Sequence, residues 1–310
     1  MIGDAQIGVV VLTYNSASDL PTCLDGLFSQ RGVGLRVIVV DNASDVVARD
    51  QMEDVFLSRA PRGKIFDVAA SSQCELGVEN AVFLKNDRNS GYSAGNNIGA
   101  KLATESGCQA VLIINPDIQI QDTTYVRTLY ELLISEPDLV VAASAIRNLS
   151  GKNENPMAEL SFFCELFLPL EMIVAVLGIK RKEARISFQR DEVAEKVSGS
   201  CFLVRSDFLQ EIGFFDEGVF LYCEEAILAK QIRQRGYRII FCPRIEAVHA
   251  HRPNEKGDPV RRQILWSRSR KYYHAHYAGY GTVRRTMLSF SHSIVVVLTW
   301  LHSRMTRPIR

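Results

Sequence analysis

The sequence predicts an α/β protein: a doubly wound, mostly parallel sheet, with a helical insertion on one side and a basic helical tail. Three observations predict it. From residue 7 to about 146, short β-branched apolar runs alternate with amphipathic stretches, the pattern of parallel strands joined by crossover helices. Between 147 and 197 the alternation stops and an apolar stretch, 160–179, takes its place. After Asp258 there is no Asp or Glu, whereas ten Lys and Arg follow. With 310 residues, 47% hydrophobic and 23% charged, the chain can bury a full core, which excludes disordered, collagen-like and disulfide-scaffold classes.

The apolar runs 7–12, 35–40, 81–84, 110–114 and 139–143 read as strands. A first helix is expected with Ser18 or Asp19 as N-cap, Pro21 in its first turn, and Leu20, Leu24, Leu27 and Phe28 on one face. A second runs over about 94–105. Glu165, Pro169 and Glu171 interrupt the stretch 160–179, and Lys180, Arg181 and Lys182 follow it. A buried or interfacial helix pair is therefore expected there rather than a bilayer span. Residues 197–204 read as a strand, 208–212 as a short helix ended by Gly213, 224–235 as a helix stopped by Gly236, and 237–241 as a last strand before Pro243. The apolar segment 287–301 lies between Arg284 and Arg285 on one side and Arg304 and Arg307 on the other. At about 1.5 Å per residue it is too short to span a bilayer comfortably. The chain divides into an α/β half (1–146), a second half (147–258) holding the insertion 155–182, and the tail 259–310.

Charge is balanced overall, 36 basic against 35 acidic residues, which argues against nucleic-acid binding. Ten of the basic residues lie in the tail, so the body is acidic and the tail suits an anionic surface. Aromatics among those cations (Trp266, Tyr272, Tyr273, Tyr277, Tyr280) would also stack on single strands, but the acidic body opposes that use. Seven cysteines without a C-x-x-C pair suggest reduced thiols and a cytosolic compartment, and residues 1–7 give no expectation of a secretory signal.

Ligands of an open parallel sheet bind beyond the carboxyl ends of its strands. Four such ends are polar: Thr13, Tyr14, Asn15; Asp41, Asn42, Ala43, Ser44; Asn86, Asp87, Arg88, Asn89; and Asn115, Pro116, Asp117. Any one is also a place for an Asx-turn or a helix cap. Asp41 can accept hydrogen bonds from a ribose hydroxyl or a base N–H. Residues 89–99 put glycines at the opening of a helix, where free N–H groups attract anions; the segment matches neither dinucleotide nor P-loop fingerprints. A carboxylate at Asp117 can hold Mg²⁺ or Mn²⁺ between diphosphate oxygens. Glu224 and Glu225, paired at a helix start, include a candidate general base for an acceptor hydroxyl.

The segments Val-Val-Leu-Thr-Tyr-Asn-Ser (10–16), Val-Val-Asp-Asn-Ala-Ser (39–44), Asn-Ser-Gly-Tyr-Ser-Ala-Gly-Asn-Asn-Ile-Gly (89–99), Ile-Asn-Pro-Asp (114–117), Gly-Phe-Phe-Asp-Glu (213–217) and Tyr-Cys-Glu-Glu (222–225) occur in this order. In that combination the sequence resembles the family 2 glycosyltransferases, inverting enzymes of the Rossmann-like GT-A fold that use nucleotide-diphospho-sugars. The resemblance covers about residues 7–280. It implies that Thr13, Tyr14, Asn15, Asp41 and Asn42 hold the nucleoside, and that Asn89, Gly91, Tyr92, Gly95 and Asn96, with Asn115, line the donor pocket. Gly199 and Ser200 would shape the acceptor side. Asp117 would be the metal ligand, with His249 completing its shell, and Glu225 the base, with Glu224 beside it. Three positions depart from the usual pattern: a single carboxylate in Asn115-Pro116-Asp117, Glu225 in place of Asp, and Ile227 in place of a second acid. The Asn-Pro-Asp form resembles the branch of bacterial rhamnosyltransferases of O-antigen and capsule assembly. The resemblance implies single-displacement transfer with inversion to a lipid-linked or polysaccharide acceptor, at the cytoplasmic face of a membrane. A catalytically silent nucleotide-sugar binder or scaffold of the same fold is the alternative, and a second subunit is the alternative partner of the tail.

Overall fold

The computed structural model describes residues 5–73, 81–176, 190–250 and 257–305. A ten-stranded sheet forms its centre. In chain order the first half comprises β1 (Gln6–Thr13), α1 (Leu20–Phe28), β2 (Gly34–Asn42), α2 (Val46–Arg59), β3 (Lys64–Asp67), β4 (Val82–Asn86), α3 (Tyr92–Glu105), β5 (Ala110–Ile114), β6 (Ile118–Gln119), α4 (Tyr125–Leu133) and β7 (Leu139–Asn148). The second half supplies α5 (Phe162–Leu166), α6 (Leu168–Val176), β8 (Glu192–Ala194), β9 (Cys201–Arg205), α7 (Ser206–Ile212), α8 (Glu224–Gln234), β10 (Arg238–His249), α9 (Pro259–His276) and α10 (Thr282–Met305).

The sheet order is β3-β4-β2-β1-β5-β9-β7-β10-β6, with β8 paired to β10. Pairings from β3 through β5 are parallel, while β9 runs antiparallel between β5 and β7. Because β7 and β10 are parallel to each other, both again point the same way as β5. The carboxyl ends of β1, β2, β4, β5, β7 and β10 therefore share one edge, and the strand order reverses at β1 and β5, where an α/β sheet opens its ligand crevice. Helices cover both faces. Side chains of successive strand residues point to opposite faces, so Ile7, Val9 and Val11 pack with α1, α2 and α4 while Val10 packs with α3 on the other side. Burying each such Val, Leu or Ile stabilises by about 1.5–3 kcal/mol.

Several boundaries differ from expectation. Phe28 closes α1 but is 43% exposed, leaving Leu20, Leu24 and Leu27 as the packed face. Helix α3 starts at Tyr92, ahead of residue 94. Helix α2 escapes periodicity because Met52 and Phe56 are its only buried side chains. The strand expected at 197–204 begins at Cys201, after a turn at 199–200. Strand β10 does not stop before Pro243 but continues to His249 across a register shift between Cys242 and Glu246, an irregularity that accommodates proline. The basic residues Lys180, Arg181, Lys182, Arg307 and Arg310, and the insertion beyond residue 176, lie outside the described residues.

The insertion is a helix pair, as its interrupted pattern predicts. Ser161 caps α5, its Oγ accepting from the Cys164 N–H at 3.2 Å. Glu165, read from sequence as an interruption, is fully buried against the tail. Its carboxylate pairs with Arg270 of α9 and meets His274 Nε2 at 3.0 Å and His292 Nε2 of α10 at 3.1 Å. Ser291 donates to the carbonyls of Glu165 and Leu166 at 3.0 and 2.9 Å. Among the described residues no helix is long and apolar enough to cross a membrane.

Candidate active site

Three groups of polar side chains gather along the shared strand edge. The first holds the loops after β1 and β2. Asn15, at φ 53°, donates its N–H to Ser44 Oγ (2.8 Å), and its Oδ1 accepts from the Asp45 N–H (3.0 Å). Asp41 is fully buried; Oδ1 accepts from the Ser44 N–H at 3.1 Å and Oδ2 pairs with Arg49 Nε at 2.7 Å. Arg49, on a helix the sequence reading missed, thus fixes the carboxylate expected at the nucleoside. Thr13 is buried with its hydroxyl donated to the Val40 carbonyl, so it ties two strands together, while Tyr14 is exposed at the rim.

The second group surrounds the start of α3. Asn42 Nδ2 donates to Asn89 Oδ1 (3.0 Å) and to the Gly91 carbonyl (3.2 Å), and Asn86 Nδ2 donates to Asn42 Oδ1 (3.0 Å). This amide network holds the glycine loop. Gly91 has φ 103°, and a Cβ there would lie 2.3 Å from the Phe220 carbonyl oxygen, so side chains are excluded both by conformation and by space. Gly95 lets α3 pack on β1 and β2, since a Cβ there would meet Leu12 Cδ1 at 2.5 Å. The Tyr92 N–H already donates to the Phe220 carbonyl at 2.8 Å, and Gly95 lies inside the helix with its N–H on the Gly91 carbonyl. The helix opening expected near Gly95 is therefore one turn earlier. Asn96 Nδ2 donates to the Tyr92 carbonyl, and its buried Oδ1 has no hydrogen-bond partner among the described residues.

The third group faces the second half. The Asn115 N–H donates to the Ser200 carbonyl at 2.8 Å, which joins the end of β5 to the turn before β9. In that turn the Gly199 carbonyl accepts from the Tyr92 hydroxyl. Tyr92, Gly199, Glu224 and Glu225 line one small cavity of about 20 Å³, room for about one water. A Cβ on Gly199 would lie 3.3 Å from the Tyr92 hydroxyl and 3.5 Å from Glu225 Oε1, so this glycine brings the two close to the backbone. Tyr222 and Cys223 precede α8 with φ 70° and 75°, non-glycine conformations that store about 1–3 kcal/mol each and point Glu224 and Glu225 at the helix start. Burial, then the neighbouring Glu225 charge, push Glu224 up to about 8. Its Oε2 is buried without a hydrogen-bond partner among the described residues. Burial and both carboxylates hold the Tyr92 phenol well above its ordinary range.

Asp117 and His249 meet beside this group. His249 Nε2 lies 3.1 Å from Asp117 Oδ2, and Nδ1 lies 2.7 Å from Glu154 Oε2. Burial opposes a charge on the imidazole, but Asp117 and Glu154 outweigh it and push His249 up to about 9. Among the described residues no cluster of three or more His, Cys, Asp and Glu side chains is arranged to cage a metal with protein ligands alone. The donor set nevertheless fits a divalent cation that displaces the Nε2 proton and takes its remaining ligands from a diphosphate and water: one carboxylate and one imidazole face each other, and a second carboxylate, which sequence reading missed, orients the ring.

Other contributors also went unread. Asn97 of α3 clasps the 213–217 segment: Nδ2 donates to the Phe215 carbonyl (2.9 Å) and Glu217 Oε1 (2.7 Å), and Oδ1 accepts from the Phe215 N–H (2.9 Å). From the tail, Tyr272 and Tyr277 donate their hydroxyls to Asp216, Ser269 Oγ donates to the Leu221 carbonyl at 2.7 Å, and Arg270 reaches Cys223 Sγ at 3.4 Å. Asn97 and Asp216 lie inside segments 89–99 and 213–217, but nothing in those segments marks their partners: Asn97 meets Phe215 and Glu217 some 120 positions on, and the tail residues lie some 50 positions from the groups they hold.

Residues 8–213 match the family described as glycosyl transferase family 2. The chain is 24% identical over 247 residues to the low-salt glycan biosynthesis hexosyltransferase Agl10 of Haloferax volcanii, covering 79% of this chain and 67% of that protein. It is 30% identical over 174 residues to rhamnosyltransferase WbbL of Escherichia coli, covering 53% of this chain and 62% of that protein. In fold it is similar to mannosyltransferase PcManGT from Pyrobaculum calidifontis, solved in complex with GDP-Man and Mn²⁺: TM-score 0.58 at 15% identity, over 98% of this chain and 76% of that one.

Proposed function

The chain belongs to glycosyl transferase family 2 and is a sugar-transferring enzyme of GT-A fold, and from that premise we propose that it inverts and transfers one hexose from a nucleotide-diphospho-sugar to a lipid-linked or polysaccharide acceptor. Rhamnose from dTDP-rhamnose is the donor read first, supported by the likeness to a rhamnosyltransferase. The observation that carries the reading is the carboxylate pair at the start of α8, set against the Tyr92–Gly199 link on the side of the crevice away from β2. Glu225 takes the proton of the acceptor hydroxyl; the oxygen forms its bond to the anomeric carbon as the bond to the diphosphate breaks on the opposite face, and the configuration inverts. Near neutrality Glu224 keeps its own proton, so it adds no second negative charge beside Glu225. Asn42, Asn89 and Asn86 hold the glycine loop for the donor, and Asp41 is positioned by Arg49. Asp117 and His249 would hold Mg²⁺ or Mn²⁺, which when bound supplies positive charge beside the departing diphosphate. The basic tail favours a peripheral position at an anionic membrane surface, where lipid-linked acceptors are presented.

The second reading, a silent nucleotide-sugar binder, draws on the single carboxylate at 115–117 and on Glu in place of Asp at 225. Nucleoside-diphosphate release from a panel of dTDP-, UDP- and GDP-sugars, with Mg²⁺ or Mn²⁺, separates the two. Release from one donor, lost in Glu225→Gln, supports the transferase; donor-dependent thermal stabilisation with no release from any donor and acceptor pair supports the silent binder.

A further inference from the structure

We infer that the insertion and the last helix form a single docking face for an anionic lipid bilayer, with the insertion supplying part of its apolar surface. The inference deepens the peripheral placement proposed above and rests on it. Helix α10 has one packed side and one exposed apolar side. Leu288, Ser291, His292 and Val295 face inward onto α5 and α9. Met287, Phe290, Val297 and Leu301 repeat at the same helical spacing on another side and are exposed, Phe290 by 69%. An exposed apolar stripe opposite a packed one is the arrangement of a helix lying in a membrane interface.

The insertion continues that surface. Helices α5 and α6 pack along α10 through Glu165 with His292 and through Thr299 with Met172, and they expose Phe163 (66%), Phe167 and Leu170. The buried Glu165–Arg270 pair fixes the insertion to α9, and Glu165 with His292 fixes it to α10, although these segments are more than 100 residues apart in sequence.

Charge selects the partner. Beside the exposed stripe, Lys271 of α9 and Arg285 of α10 flank an open polar groove lined with the hydroxyls of Thr282, Thr286 and Ser289. Arg304 stacks on Trp300 with its guanidinium 4.3 Å from the ring centroid, at the far end of the same helix. Cations next to an apolar stripe, in a tail with no acidic residue after Asp258, complement phospholipid headgroups above an acyl layer, whereas a two-fold contact of two copies through this face would set the same positive charge against itself.

The test is co-sedimentation of the full chain with vesicles of phosphatidylcholine, alone or mixed with phosphatidylglycerol. We expect binding to the mixed vesicles that falls with salt. Lys271→Glu with Arg285→Glu should weaken it by roughly 30-fold or more, since each cation near an anionic surface contributes about 1 kcal/mol. Phe163→Ser with Phe167→Ser, and separately Phe290→Ser with Val297→Ser, should each reduce it at least tenfold. All six side chains are exposed, and an unchanged melting temperature verifies folding. Wild-type binding by the Phe163/Phe167 variant would overturn the insertion's part. Equal binding to both vesicle types, or a dimer in solution that Phe290→Ser with Val297→Ser converts to monomer, would overturn the bilayer as partner. Nucleoside-diphosphate release is measured in the same samples: vesicle binding without release from any donor leaves the docking face standing and counts against the transferase.

Discussion

The imidazole of His249 faces the carboxylate of Asp117 across 3.1 Å, joining the end of β10 to the loop after β5. Glu154, on the other ring nitrogen, makes this pair a candidate metal site whose ligand is oriented from behind. Glu154→Gln should weaken Mn²⁺-dependent nucleotide binding by about 10- to 100-fold, the usual effect of losing such a partner, and Asp117→Ala should remove the metal dependence. Titration calorimetry with and without Mn²⁺ checks both; equal affinities in all three proteins would reject the site.

The two acids of α8 should behave differently. Glu225→Gln is expected to lower turnover by at least about 100-fold with donor binding kept, the loss that follows removal of a general base. Glu224 has its pKa raised to about 8, so its proton is held more tightly in the folded than in the unfolded chain. Its contribution to stability is full below about pH 4.5 and lost as pH rises through about 8. Glu224→Gln should therefore gain in melting temperature over wild type on going from pH 5 to pH 8. Melting curves across that range decide it, and parallel curves would count against a protonated Glu224.

Gly91→Ala must either force φ 103° on a side chain or push the Phe220 carbonyl away. Backbone strain of this kind costs about 1–3 kcal/mol, and the displaced loop leads into α8, so donor binding and turnover should fall together. A variant with wild-type kinetics would show that the loop adjusts freely.

Breaking the buried pair between insertion and tail should be severe. Glu165→Ala leaves Arg270 uncompensated in a buried place, and losing one member of such a pair costs about 3–5 kcal/mol. Calorimetric melting should show a drop of several degrees, and limited proteolysis should cut the insertion first.

The parallel half of the sheet was legible because β-branched runs followed by Asn, Asp and Thr mark buried strands with polar ends, and residues 114–117 and 222–225 carry their chemistry in adjacent positions. Helix α2 was not, since a helix that buries only Met52 and Phe56 shows little periodicity. Glu154 and Arg49 were not, because each acts on a partner brought near by tertiary folding, and Asp216, although inside the segment 213–217, gave no sign of its tail partners Tyr272 and Tyr277. Glu165 reads as a charge that interrupts an apolar run, yet its partners, Arg270, His274 and His292, all come from the tail.

Helix α9 holds Asp216, the Leu221 carbonyl, Cys223 and Glu165 at once. During synthesis these partners leave the ribosome well before the residues that secure them. The turn that aims Glu224 and Glu225 therefore gains its final supports only after Tyr277 has emerged. Fragments trimmed ahead of α9 for crystallography or screening would retain every sequence motif of the site while lacking what braces it, whereas trimming within α10 beyond Val295 spares those braces.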